Sequence, residues 1–171
     1  DYKNKVFLYF YPEIQKIKSM HIHYISEQNS ILNHFLAQIR DVNIQKDSMR
    51  FRKNIERIGE IMAYELSKTL DYKEIDVQTP LGIKHTTTIA EPVVLCSILR
   101  AGLALHQGFM SFFDNAENGF VSAYRHHYDN DDKFEILVEY QAAPSFEGKN
   151  LILIDPMLAT GQSLVAVLHK L

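Results

Sequence analysis

The sequence holds a single cysteine, Cys96. One thiol cannot close an internal disulfide, so nothing here asks for an oxidising compartment. Cys96 lies in the apolar run 92–99, where a small buried hydrophobe is expected rather than a nucleophile. Long apolar runs are also missing: no stretch approaches the roughly 18 residues of a membrane-spanning helix. The short aromatic run at residues 6–11 ends at Pro12 and lacks the small-residue cleavage site of a signal peptide. The compartment expected is therefore the cytoplasm. Nor is there a surplus of charge, with 18 Lys and Arg against 21 Asp and Glu and a net charge of −3 when the eight histidines are neutral. This argues against a general nucleic-acid-binding surface but leaves room for a local basic pocket. The chain shows no internal repeat, no low-complexity tract and no Ser-His-Asp or Cys-His pattern.

What is present reads as an ordinary globular chain. With 171 residues, 46% hydrophobic and 23% charged, it is long enough for one core, and a single domain over residues 1–171 is expected. Residues 1–31 form a peripheral amino-terminal segment with few clear signals. The alternation at residues 21–25 has strand character; His21 and His23 lack a third ligand at metal-site spacing, so a half-exposed strand is preferred to a metal site. Residues 30–40 predict a short helix with Ile31, Phe35, Leu36 and Ile39 on one face. A longer helix is predicted over residues 48–70, with Phe51, Ile55, Ile58, Met62, Leu66 and Leu70 spaced by three or four. Asp47 or Ser48 suits its cap, and Arg50, Arg52, Lys53, Glu56, Arg57 and Glu60 read as a solvated face. Residues 74–78 and 83–89 alternate like strands, and Pro80 and Gly82 between them suit a tight turn, giving a β-hairpin.

The second half changes character. The continuous apolar run 92–99 is what a strand buried on both faces looks like. A turn at Arg100-Ala101-Gly102 follows, then a helix-length apolar segment to residue 113. Further strands are predicted at residues 119–124, 134–140 and 151–154, and a last helix at residues 163–171. Residues 125–128 read as an exposed loop, and the acidic run 129–132 as a solvated turn without the glycine and terminal glutamate of a calcium loop. Strands alternating with helices imply an α/β fold with a mainly parallel sheet flanked by helices. Ligands of such sheets sit at the carboxyl ends of strands, and Arg100, Arg125 and Asp155 are each expected just beyond one.

Asp155-Pro156-Met157-Leu158-Ala159-Thr160-Gly161-Gln162-Ser163 is the segment in which that rule has chemical content. A buried strand delivers a carboxylate, and a loop of small and hydroxyl residues opens a helix. Free N–H groups and the dipole at a helix start favour an anion. Gly161 permits close backbone approach, and Thr160 and Ser163 add hydroxyl donors. The loop lacks the Gly-Lys-Ser/Thr ending of a Walker loop and the GxGxxG fingerprint. By residue type it fits a phosphate cradle preceded by an acid, or an ordinary capped helix start.

The string itself is more specific. Residues 151–161 closely resemble the phosphoribosyl-diphosphate signature of type I phosphoribosyltransferases, in the Asp-Pro-Met-Leu-Ala-Thr-Gly form of uracil phosphoribosyltransferases. Ser97-Ile98-Leu99-Arg100-Ala101-Gly102-Leu103 resembles that family's diphosphate-loop segment, Tyr124-Arg125 its following Tyr-Arg, and, more loosely, Arg40 and residues 51–70 its amino-terminal region. The resemblance spans about residues 33–171. It implies a Rossmann-like phosphoribosyltransferase fold and transfer of phosphoribosyl from phosphoribosyl diphosphate to uracil, giving UMP and diphosphate. Asp155 would then bond the ribose hydroxyls, residues 159–163 the 5-phosphate, and Arg100 and Arg125 the diphosphate. Pro156, Met157 and Leu158 complete the loop. Mg²⁺ would arrive mainly with the substrate diphosphate, with no dedicated protein metal site. The partners implied are phosphoribosyl diphosphate and a pyrimidine base, with no nucleic acid and no membrane; the aromatic residues Phe7, Tyr9, Phe10 and Tyr11 make a homo-oligomer plausible. The sequence departs from the family at Gln162, where a second glycine is usual, and at Ala104. It stops in the helix after the phosphate loop, before the glycine-rich segment that binds uracil, so the base-binding part is expected to be absent. The alternative reading is a regulatory or RNA-binding relative of pyrimidine metabolism that keeps the site without turnover.

Overall fold

The computed structural model describes residues 9–11, 22–127, 134–157 and 161–171. Its elements in chain order are β1 (Tyr9–Tyr11), α1 (Ile31–Arg40), a 3-10 turn (Ile44–Lys46), α2 (Ser48–Ser67), β2 (Tyr72–Thr79), β3 (Gly82–Ile89), β4 (Val93–Leu99), α3 (Leu103–Met110), β5 (Glu117–His127), β6 (Phe134–Ala142), β7 (Asn150–Ile154) and α4 (Gln162–Leu168). Five strands form one sheet in the order β1-β7-β4-β5-β6. The central three, β7, β4 and β5, run parallel, and β1 and β6 flank them antiparallel.

The two faces of the sheet can be read from alternate residues of its centre. Val93 and Leu95 of β4, with Ile152 and Ile154 of β7, face a core completed by Leu32, Leu36, Ile58, Met62, Leu66, Leu105 and Phe109 from α1, α2 and α3. Val94, Cys96 and Ile98, with Leu151 and Leu153, face the opposite side, where Leu164 and Val167 of α4 cover them. The period-2 pleat accounts for this division, and a strand covered on both faces needs apolar residues at every position. Each fully buried aliphatic side chain contributes about 1.5–3 kcal/mol. Burial also pushes the Cys96 thiol up to about 11, so it is a core hydrophobe and not a nucleophile, as its setting implied.

Helix α2 lies against α3 where two glycines meet. A Cβ on Gly108 would stand 2.1 Å from the Glu56 carbonyl oxygen, and one on Gly59 2.5 Å from that of Leu105. The backbones can approach this closely only without side chains. The expected cap of α2 forms, Asp47 Oδ1 accepting from Arg50 N at 3.0 Å, and Ser30 caps α1, its Oγ accepting from Leu32 N at 3.3 Å. Leu36, with Phe35 and Ile39 packed against the core, keeps the predicted face of α1; Leu32 joins it, whereas Ile31 is exposed. Phe51 is 37% exposed, and Leu70, though buried, falls after the end of α2. The charged face of α2 is partly recruited: buried Asn54 donates to Gln38 at 2.7 Å and accepts from Arg57 at 3.1 Å, with the Arg57 guanidinium 5.3 Å from the Phe35 ring.

Strands β2 and β3 form the predicted hairpin, closed at Thr79 and Gly82. Gly82 takes φ +137°, a value that L side chains rarely adopt. Residues 22–24 form no strand and Ile25 begins a turn, closed by Glu27 N to Tyr24 O at 3.2 Å. Among the described residues their alternation has no strand to pair with, and His21 lies outside them. The unassigned amino-terminal segment does supply β1, whose Tyr9, Phe10 and Tyr11 pair with Leu153, Ile152 and Leu151. Residues 125–127, predicted as loop, continue β5 and pair with Ile136, Glu135 and Phe134 of β6. Tyr128 and the acidic run 129–132 lie outside the described residues.

Candidate active site

Two parallel neighbours, β4 and β7, end side by side. Ser97 is in register with Ile154, so Arg100 and Asp155 leave the same edge of the sheet. The turn at residues 100–102 is wedged against both strands. A Cβ on Gly102 would meet the Ile98 carbonyl oxygen at 2.8 Å, the Ile154 carbonyl oxygen at 3.0 Å and Ser97 Cβ at 3.2 Å. Gly102 N donates to Ile98 O at 3.0 Å, and His106 N to Gly102 O at 2.8 Å. Helix α3 therefore starts directly from the turn. The Leu99–Arg100 peptide is cis, and Arg100 is exposed.

Asp155 is only partly exposed. Burial raises its carboxyl above the ordinary 3.8, and an accepted bond from Met157 N works in the other direction; that bond is 3.2 Å long, to Oδ1. A carboxylate held this way spends one oxygen on its own loop and retains acceptor capacity for hydroxyl donors. Pro156 is half-buried and Met157 largely exposed. Leu158, Ala159 and Thr160 lie outside the described residues. Gly161 precedes α4 with φ 77° and ψ −5°, so the glycine of the loop occupies the left-handed region at the helix start. Gln162 is the first residue of α4; the position where a second glycine is usual is helical here and suits a glutamine. Ser163 follows within the first turn, partly buried.

The structure thus brings Arg100, Asp155 and the start of α4 to one edge. Arg125 is not beyond a strand end as expected: it stands within β5, paired with Ile136, because β5 and β6 extend each other as an antiparallel ribbon. Arg40, the more loosely matched arginine, ends α1 and is exposed. No group of three His, Cys, Asp or Glu side chains suited to a metal ion occurs among the described residues, and no helix among them is long and apolar enough to cross a membrane.

Sequence reasoning missed one set of polar residues. Ser97, buried in β4, and His106, buried in α3, are joined from Oγ to Nδ1 at 2.7 Å, and His106 Nε2 lies 2.7 Å from Asn118 Oδ1. Asn118 Nδ2 donates to Ala116 O at 3.3 Å, leaving Oδ1 as the acceptor. His106 therefore donates from Nε2 and accepts the Ser97 hydroxyl proton at Nδ1. The ring packs on Phe120, centroids 5.0 Å apart, and burial lowers its pKa below 6.5, the Asn118 bond only partly opposing this. The signal was faint: one hydroxyl in a wholly apolar strand and one histidine among apolar helix residues.

Comparison with known proteins identifies similar chains. Residues 25–171 match the family model described as uracil phosphoribosyltransferase. The uracil phosphoribosyltransferase of Porphyromonas gingivalis is 49% identical over 145 residues, 85% of this chain and 67% of the relative. That of Methanothermobacter thermautotrophicus is 37% identical over 84% of this chain and 65% of the relative. The solved structure of the AQ2163 protein from Aquifex aeolicus superposes with a TM-score of 0.73 at 29% identity, covering 85% of this chain and 68% of that one. The chain spans about two thirds of the length of these relatives. With a family match along residues 25–171 and a relative 49% identical over 85% of the chain, the chain belongs to the uracil phosphoribosyltransferase family.

Proposed function

We propose that the chain carries the sugar-diphosphate half of a uracil phosphoribosyltransferase site, in a protein that transfers phosphoribosyl from phosphoribosyl diphosphate to uracil. The observation that carries the reading is the pairing of β4 with β7, from whose adjacent carboxyl ends Arg100 and Asp155 emerge. In the reaction, a uracil nitrogen forms a bond to the anomeric carbon as the bond from that carbon to the diphosphate oxygen breaks. The nitrogen's proton passes to solvent, and the products are UMP and diphosphate. The transition state has oxocarbenium character, so no protein nucleophile is required. Positioning and stabilisation of the departing charge supply the rate.

The family resemblance then gives each residue a task. Asp155 accepts from the ribose hydroxyls. Residues 159–163 cradle the 5-phosphate through the N–H groups at the start of α4 and the hydroxyls of Thr160 and Ser163. Arg100 clamps the diphosphate through its planar fork, and Arg125 assists from β5. The donors fit magnesium in a limited way: Asp155 is a single half-buried carboxylate, and Mg²⁺ commonly binds through substrate phosphates with few protein ligands. When bound, the ion neutralises charge on the leaving diphosphate.

A second copy of the chain is the partner we propose for the β2–β3 hairpin. Tyr72, Val77, Leu81 and Ile83 are exposed on it, and a two-stranded hairpin alone is marginally stable in water. Ile83→Lys should lower the mass found by sedimentation equilibrium; an unchanged mass would remove the hairpin from the interface. We place the chain in the cytoplasm, on its lone buried thiol.

The test of function is calorimetric titration with phosphoribosyl diphosphate and Mg²⁺. Saturable binding, weakened at least tenfold by either Asp155→Asn or Arg100→Ala, supports the site. Absence of binding by a folded chain contradicts it.

A further inference from the structure

The turn that carries Arg100 is held at both of its ends by one side-chain bond. Ser97 stands in β4 three residues before Arg100. His106 stands in α3, on the far side of the turn. Their 2.7 Å contact spans nine residues and is buried, so it closes a loop with Arg100 near its tip. Asn118, at the start of β5, completes the clasp at 2.7 Å from the other ring nitrogen, and the Phe120 ring covers one side of the imidazole.

We infer that His106 is a positioning residue for the diphosphate end of the site, acting through Ser97 on the turn from which Arg100 projects. The inference rests on the reading of Arg100 as a diphosphate ligand. Its physical basis is the geometry of the loop. Backbone bonds from Gly102 N to Ile98 O and from His106 N to Gly102 O fix the helix to the turn. They leave the separation of β4 from α3 to side chains. The contact there is a directional polar bond in an otherwise apolar layer. Apolar groups of similar shape could replace both partners at little cost in stability, but they would not set the distance and rotation of α3 so narrowly. A neutral imidazole suits the task because its two nitrogens face opposite ways, one accepting and one donating; burial disfavours the charged ring, and Asn118 Oδ1 beside Nε2 leaves Nδ1 as the acceptor.

The test separates this role from a merely structural one by the choice of ligand. Ribose 5-phosphate has the phosphate and hydroxyls that Asp155 and the α4 start would take, but no diphosphate for Arg100. Ser97→Ala removes one oxygen and breaks the bond. His106→Gln keeps a donor near Asn118 and loses the acceptor at Nδ1, whereas His106→Asn keeps an acceptor where Nδ1 stood. We expect Ser97→Ala and His106→Gln to weaken phosphoribosyl diphosphate binding about tenfold, the scale of a small misplacement of a site group. Ribose 5-phosphate should bind within about twofold of the unaltered chain, the difference lying in the clamp alone. His106→Asn should recover most of what His106→Gln loses. Parallel weakening of both ligands, or undiminished diphosphate affinity in folded Ser97→Ala, overturns the inference while leaving the site intact. Failure of the unaltered chain to bind phosphoribosyl diphosphate overturns the functional reading, and this inference with it. Should Ser97→Ala not fold, the contrast between the two substitutions of His106 decides.

Discussion

Substituting alanine for Gly102 inserts one methyl group between the two strands that carry the site. The backbone there, φ −67° and ψ −18°, is helical and open to alanine, so no conformational strain arises. The unfolded chain even loses freedom, worth about 0.4–1 kcal/mol in favour of folding. Against this stand the contacts. The new Cβ would lie 2.8 Å from the Ile98 oxygen and 3.0 Å from the Ile154 oxygen, both inside the 3.4 Å at which ordinary contact begins. Both oxygens belong to strands whose Ile98 and Ile154 are buried, so neither can withdraw. The turn must instead rise by about half an ångström, and overpacking of this kind costs about 1–3 kcal/mol. Taking the middle of each range, the net loss is about 1.3 kcal/mol, or about 3–5 °C in Tm for a chain of this size. Because Arg100 rides on the turn, phosphoribosyl diphosphate affinity should fall by at least about tenfold. Differential scanning fluorimetry and calorimetric titration measure the two effects. An equal or higher Tm with unchanged affinity would show that the turn is free to move, and would refute the argument that it is wedged between β4 and β7.

Three further outcomes follow from the same structure. Asp155→Asn should destroy binding and yet stabilise the fold near neutral pH. Burial raises the carboxyl above 3.8, so the folded state bears a cost for ionising it at every pH above that raised value. The gain would appear as a higher Tm, and a lower Tm would contradict it. His106 titrates in the opposite sense. Its folded pKa lies below 6.5, so the unfolded chain binds the extra proton first. Stability is then complete above 6.5 and is lost as the pH falls from there through the depressed folded value. Urea midpoints should fall between pH 7.5 and 5.5, and His106→Asn should flatten that slope; an equally steep slope in the variant would remove His106 as its source. Gly108→Ala, whose Cβ would stand 2.1 Å from the Glu56 oxygen, must separate α2 from α3. We expect a loss of at least about 3 kcal/mol, the upper range for overpacking, or no soluble protein; a Tm within 2 °C of the unaltered chain would contradict the close crossing.

Much of this fold was legible where a segment's environment is uniform along its length. Residues 92–99 and 151–154 are apolar throughout because both faces of the sheet are covered, and they became β4 and β7 nearly to the residue. The α2 stripe and the Pro80–Gly82 turn were equally local. Pairing was less legible. β1 is a strand because β7 lies beside it, a partner some 140 residues along the chain, whereas the better alternation around Ile22 has none among the described residues. Along α1 the predicted face held at Phe35, Leu36 and Ile39, and only its first position differed, Leu32 facing the core where Ile31 was expected. In the site, Asp155 and Arg100 could be placed because each follows a buried strand. Arg125 could not, because the length of β5 is set by its antiparallel partner. The Ser97–His106–Asn118 contacts join a strand, a helix and a second strand at separations of nine and twelve residues, a spacing that no single-element period produces.

The central claim is that one molecule of phosphoribosyl diphosphate is held at both of its ends by the adjacent ends of β4 and β7. The most direct measurement is ³¹P NMR of phosphoribosyl diphosphate titrated with the chain in the presence of Mg²⁺, which reports the 5-phosphate and the two diphosphate phosphorus atoms separately. The account predicts that all three signals shift or broaden on binding. It predicts further that Arg100→Ala largely abolishes the response of the diphosphate signals while leaving that of the 5-phosphate. No response at any phosphorus, or loss of the 5-phosphate response alone when Arg100 is removed, would contradict it.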